Sequence, residues 1–134
     1  MMPKMLFLTV FILNSCASQK LNPTLKTSDW EVILIDGKKI LSNHPTISFI
    51  EKGWQIGGYG GCNYFGGRYE VNGENISFSK MTSTLMACIG DDLEDRFFSA
   101  LDKVKKYRVT EDKLQFLDER KTVVMLLKVV VNKD

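Results

Sequence analysis

The sequence predicts a mainly β, antiparallel domain, a sandwich or barrel, carrying one amphipathic α-helix. Three observations carry this reading. Short segments of alternating apolar and polar residues recur roughly every ten residues from Trp30 onward. Turn-forming pairs separate them, at Asp36-Gly37, Lys52-Gly53 and Asn72-Gly73. A single later segment, at about 91–105, switches from the two-residue period to a helical one, too little helix for βαβ units.

Each element follows from its own pattern. Trp30, Val32 and Leu34 alternate with more polar neighbours and lead into Asp36-Gly37, a pair that tolerates positive φ, so Ile40-Leu41 is expected as a short return strand. Residues 46–51 alternate again, Lys52-Gly53 turns the chain, and Trp54 opens the next strand. Residues 64–71 run into Asn72-Gly73, the strongest short hairpin signal, and 75–79 return. In the helical segment Leu93, Phe97, Leu101 and Val104 fall on one face, with acids in the first turn and lysines near the last. An aspartate cap after Gly90 should start this helix, and its apolar stripe should lie on the sheet or plug one barrel end. Strands at 106–110, 114–117 and 122–131 form a meander, the last expected to be central because both its faces are apolar. The expected core is Trp30, Val32, Leu34, Phe49, Trp54, Ile56, Phe78, Leu93, Phe97, Leu101, Leu114, Phe116, Val124 and Leu126.

The N-terminal residues have another character. Lys4 precedes a nearly unbroken apolar run at 5–13, too short to cross a bilayer of ~20 helical residues, and Leu13-Asn14-Ser15-Cys16 follows. This layout resembles a bacterial lipoprotein signal. The resemblance implies that residues 1–15 are removed and that Cys16 carries acyl chains, each buried methylene contributing roughly 0.8 kcal/mol to membrane binding. Residues 16–27, polar and without period, then read as a flexible tether, and 28–134 as one domain. The expected location is the cell envelope, most simply the outer membrane on its periplasmic or surface face, since Ala17 stands where an aspartate would retain the protein by the enterobacterial pattern.

Charge argues against nucleic acid as a partner. The chain sums to +2 with acids and bases interspersed, and the small basic group around Lys103–Arg108 is answered by nearby acids. Of the three cysteines, lipidation of Cys16 would leave Cys62 and Cys88. An even pair outside the cytoplasm is expected to form a disulfide. Two buried thiols, or half of a soft-metal site, are the other readings.

Between residues 57 and 88 the chain stops being generic. Gly57, Gly58, Gly60, Gly61, Gly66 and Gly67 disfavour a flat strand and suit places where strands bend or approach another backbone. They lack the strand-to-helix junction and Gly-Lys-Ser/Thr ending of a phosphate cradle. Asn63 suits the satisfaction of turn backbone groups through its side chain. The Gly61-Cys62-Asn63 step, the Thr84-Leu85-Met86-Ala87-Cys88 segment, Trp30 and the aromatic helix with Phe97-Phe98 together resemble the META/HslJ-like domain family, over about residues 28–130. Tyr64 departs from the arginine that relatives often carry there.

The resemblance implies a lipocalin-like antiparallel β-barrel with one helix. It also implies a small secreted or lipid-anchored envelope protein, some relatives being tied to stress, novobiocin resistance or motility. No catalytic set stands out. Thr82, Ser83 and Thr84 have no base at hand, the sole histidine, His44, lies before Pro45, and Asp91-Asp92 reads as exposed helix-start acids. Met81, Met86, Met125 and His44 are scattered as packing and loop residues are, rather than as copper ligands. The expectation is a non-enzymatic binding module without cofactor, meeting a protein or other envelope component. The alternative is a small-ligand or metal carrier using the barrel mouth and Cys62/Cys88.

Overall fold

The computed structural model describes residues 24–26 and 28–131. The signal at 1–15, Cys16 and most of the tether therefore lie outside the described residues. Nine strands and one helix follow in order: β1 (Asp29–Ile35), β2 (Lys38–Lys39), β3 (Thr46–Ile50), β4 (Gln55–Tyr59), β5 (Tyr64–Asn72), β6 (Asn75–Ser83), α1 (Leu93–Lys103), β7 (Lys106–Thr110), β8 (Lys113–Leu117) and β9 (Val123–Val129). Every pairing is antiparallel.

From β3 through to β9 neighbours in sequence are neighbours in the sheet, joined by short connections except between β6 and β7, where residues 84–105 carry α1. The sheet then closes on itself, because β9 pairs with β1 as well as with β8. Closure pairs β1 and β9, which would otherwise be long open edges inviting another chain. β1 divides its other edge, giving residues 29–31 to β3 and residues 34–35 to the two-residue β2. The return strand is thus Lys38–Lys39 rather than Ile40-Leu41, and Ile40 folds inward with its N–H donating to the Ile33 carbonyl at 3.1 Å. The last strand is central, as its two apolar faces suggested.

One seam of the ring is thin. β6 and β7 share a single ladder position, Asn75 with Lys106. Above it the helix takes the place of strand pairing: Phe98, Leu101 and Val104 face Phe78 and Met81 across a cleft of about 150 Å³. Leu93, Phe97, Ala100 and Leu101 form the buried stripe of α1, the helix being shorter at both ends than the 91–105 expected. Asp91 Oδ1 accepts the Leu93 N–H at 3.2 Å, and at the other end Val104 is extended and returns the chain to the sheet.

Two bulges explain where the core departs from the alternating pattern. On β1, Val32 faces Leu127 but Leu34 faces Leu126, so Ile33 is an extra residue and the side-chain alternation reverses beyond it. Trp30, Val32 and Ile35 are therefore buried, and Leu34 is not. On β9, Phe116 faces Met125 while Leu117 faces Val123, which makes Val124 the extra residue. Val124, Met125 and Leu127 are buried, and Leu126 turns half outward. Phe78 sits half-buried at the margin, edge-on to Phe116 with centroids 5.7 Å apart. Trp54 is no core residue either: it occupies the turn at φ 51°, is 45% exposed, and lies under the Lys26 ammonium, 4.3 Å from the ring centroid.

The domain also begins earlier than expected. Leu25 is buried in the core and its carbonyl accepts the Trp30 indole N–H at 3.2 Å, while Lys26 reaches Glu51 at 3.3 Å. Residues 25 and 26, assigned above to the tether, belong to the folded unit because an apolar side chain and an indole donor were available to hold them.

Truncating Leu25→Ala is expected to cost about 2–4 kcal/mol in urea unfolding, as for a core leucine rather than a linker residue. Tyr69 makes a second test. It is fully buried, and its hydroxyl has no hydrogen-bond partner among the described residues. Burial pushes the phenol above the ordinary value of 10.0, Lys26 opposing and Glu51 and Tyr107 adding. The neutral form is favoured in the fold, so this contribution is full below pH ~10 and is lost as pH rises through the raised value. Tyr69→Phe should leave stability at pH 7 unchanged or higher by about 1 kcal/mol and should flatten the alkaline loss.

Candidate functional site

At one end of the ring three pieces of chain converge: the β4–β5 loop at 60–63, the segment 84–92 and the first turn of α1. Close approach of backbone makes this possible. A side chain at Gly60 would meet Glu94 Oε1 at 2.9 Å, and Gly61, at φ 114°, lies against Leu93. The helix therefore seats directly on the loop, with Leu93 against Gly61 and both Leu93 and Phe97 buried.

Asn63 is the centre of the arrangement. It is buried, and its N–H donates to Glu94 Oε1 at 2.7 Å while Nδ2 donates to Glu94 Oε2 at 2.8 Å and to the Met86 carbonyl at 3.3 Å. Its Oδ1 accepts from the Met86 N–H at 2.7 Å and from the Thr84 hydroxyl at 2.9 Å. Thr84 Oγ1 in turn accepts the Tyr64 N–H at 3.2 Å, and the Thr84 N–H reaches the Tyr64 carbonyl at 3.0 Å. The Asn63 carbonyl accepts the Gly60 N–H at 2.8 Å. One amide side chain thus ties loop, segment and helix together, and the Cys62–Cys88 disulfide, with Cα atoms 5.9 Å apart, closes the same junction covalently.

Chemically the cluster is occupied with itself. Both Glu94 oxygens accept from Asn63, and the Thr84 hydroxyl both donates and accepts. His44, which could serve as a base, is held elsewhere, donating from Nδ1 to the Val32 carbonyl at 2.9 Å with Glu31 Oε1 at 3.5 Å. Cys62, Cys88 and Glu94 do place ligand-type atoms within 4.8 Å of one another. The two sulfurs are bonded to each other, however, and a disulfide offers no thiolate to a soft metal. The structure accordingly decides among the cysteine readings in favour of the disulfide.

The structure brings Gly61, Cys62, Asn63, Thr84, Met86 and Cys88 together, with Ala87 exposed between the last two. Glu94 was not anticipated as a member. Its position in an acidic first turn was visible, but helix-start acids are common and nothing in the sequence paired it with Asn63. A second feature also went unread. Around the clasp stand Leu85, 95% exposed, Ile89, 98%, Met86, 56%, and Tyr64, 65%. Two depressions lie elsewhere, one of about 450 Å³ beside Trp54, Arg68 and Ser77, another of about 430 Å³ between Leu25, Val71 and Tyr107.

Asn63→Ala should destabilise the domain by about 2–4 kcal/mol in urea unfolding, since it strands Glu94 and the Met86 backbone together. Cys62→Ser with Cys88→Ser should cost about 3.5 kcal/mol, as for an opened loop of 26 residues.

The chain matches a family model described as the META domain over residues 23–130. No curated protein sequence matches it. Among solved structures it is similar to the NMR structure of a protein from Burkholderia xenovorans, with 19% identity, a TM-score of 0.62, and 81% of this chain and 85% of that one covered. A second NMR structure is similar at 23% identity and the same TM-score of 0.62, covering 76% of this chain and 88% of the other. These likenesses extend the fold, and the family match spans nearly the whole described domain. The chain belongs to the META domain family.

Proposed function

We propose that this META domain is a non-enzymatic, lipid-anchored module of the cell envelope that binds an envelope component through the segment at 84–90. The observation that carries the reading is the outward display of Leu85 and Ile89 from a segment that Asn63 and the disulfide hold still. Surface apolar residues scattered singly need no explanation, but several grouped on one rigid loop mark an interaction site. Preorganisation supports it further, because an immobile loop loses little conformational entropy on docking. The lipoprotein-like signal ending at Cys16 supports the anchor, and the engagement of Asn63, Thr84 and Glu94 with one another supports a role other than catalysis. The link to envelope stress and novobiocin-type tolerance rests on the family resemblance.

A second reading, a metal carrier, is favoured only by the proximity of Cys62, Cys88 and Glu94. It requires prior reduction by a dithiol, and native mass spectrometry of the reduced protein with Zn²⁺ tests it: a one-ion mass shift lost on reoxidation is its expected mark.

Cys16→Ser is expected to abolish palmitate incorporation and release the protein from the membrane fraction. Leu85→Asp with Ile89→Asp should leave the melting temperature within about 2 °C, as for exposed sites, yet reproduce the novobiocin sensitivity of a deletion strain. Full complementation by that double variant would refute the reading.

A further inference from the structure

The exposed loop carries information about what it meets. Residues 84–90 follow the far end of β6, a strand of nine residues and so roughly 30 Å long. The strand's near end, at Asn75, shares its side of the ring with the turns around Trp54 and Asn72 and with Leu25 and Lys26, where the chain enters from the N-terminal side. The loop therefore projects from the end opposite that entry. A domain attached through its N-terminal side presents this loop away from the attachment.

Charge narrows the partner further. After Ile89 and Gly90 come Asp91, Asp92 and Asp95, all exposed, and among the described residues the cation paired with them is Arg96, 3.9 Å from Asp92. An apolar prow with acidic shoulders is a poor match for an anionic lipid surface, where each acid would be repelled. It matches a protein surface in which an apolar cleft is bordered by lysine or arginine: the cleft takes Leu85 and Ile89, and the basic border takes the acids. The flanking Tyr64, tilted against Tyr59 with centroids 5.5 Å apart, adds an amphipathic aromatic contact at the margin.

We infer that the loop 84–90 and the acidic start of α1 together form a docking surface for an envelope protein bearing an apolar cleft with a basic rim. This rests on the binding-module reading and specifies the partner's chemistry.

The test places a photo-crosslinking residue at Leu85, at Ile89 or, as a control at the opposite end, at Glu111 in the full lipidated chain, irradiated in intact cells and in isolated envelopes. The expected result is a saturable protein adduct from positions 85 and 89 and not from 111, with the crosslinked peptide of the partner lying beside Lys or Arg. Asp92→Lys with Asp95→Lys should lower the adduct yield about tenfold, and raising salt should lower the wild-type yield while leaving the variant's unchanged. Equal melting temperatures for the variants exclude misfolding as the cause. An adduct with phospholipid, an adduct with a second copy of the chain, or a protein adduct indifferent to charge reversal would overturn the inference and leave a binding role standing. Absence of any saturable adduct from 85 and 89 would overturn the binding-module reading with it.

Discussion

The hydrogen bonds between Asn63 and Glu94 are the constraint on which the arrangement depends. The sheet is a ring with a weak point, since β6 and β7 meet at one ladder position and the rest of that gap is covered by α1. A helix can close a ring only if it is held in place along its length. Its apolar stripe supplies the packing, but packing alone would tolerate sliding. The carboxylate of Glu94, gripped by both the backbone and the side chain of Asn63, sets the position of the first turn against the β4–β5 loop. Charge-assisted hydrogen bonds in a partly buried setting are stronger and more directional than neutral ones, which suits them to this role.

The same amide governs the segment that follows β6. Between Ser83 and Leu93 the chain has no strand or helix to satisfy its backbone, and Asn63 replaces part of that ladder by pairing with both the N–H and the carbonyl of Met86. The disulfide adds a covalent restraint two residues later. Leu93 and Phe97 on the adjoining helix are buried, Leu93 against Gly61, while residues 84–90 are exposed. Leu85 and Ile89 stand exposed on either side of the restraints at Met86 and Cys88. The junction thus has two sides: the polar residues bind the protein to itself, and Leu85 and Ile89 face outward.

Much of this was legible in the residues. Alternation and turn pairs located the strands, because a half-buried strand must alternate and a tight antiparallel turn needs positive φ. The helix was legible from its period and its charged ends. Gly61, Cys62, Asn63 and the Thr84–Cys88 segment were legible as a motif, and their geometry was not. What escaped were features with no local signature. Nothing in the composition of β1 says that Ile33 is an extra residue, so Ile35 rather than Leu34 is buried. Trp54 continued an alternating pattern and yet sits in a turn, where Lys26 covers it. Leu25 lay in a polar stretch that resembled a linker, and is buried because the ring has an end to be covered there.

The amino-acid sequence by itself determined the class of the domain, its element order and its helix, since these depend on periodicity and turn chemistry. Tertiary structure alone decided how the sheet closes, which side of each bulge faces inward, that Glu94 completes the Asn63 clasp, and that Leu85 and Ile89 stand in solvent. The physical reason is range. Period and propensity act over a few residues, whereas closure of a ring joins β1 to β9 and a buried amide joins residues 63, 84, 86 and 94. Such contacts exist only once the whole chain has folded around them.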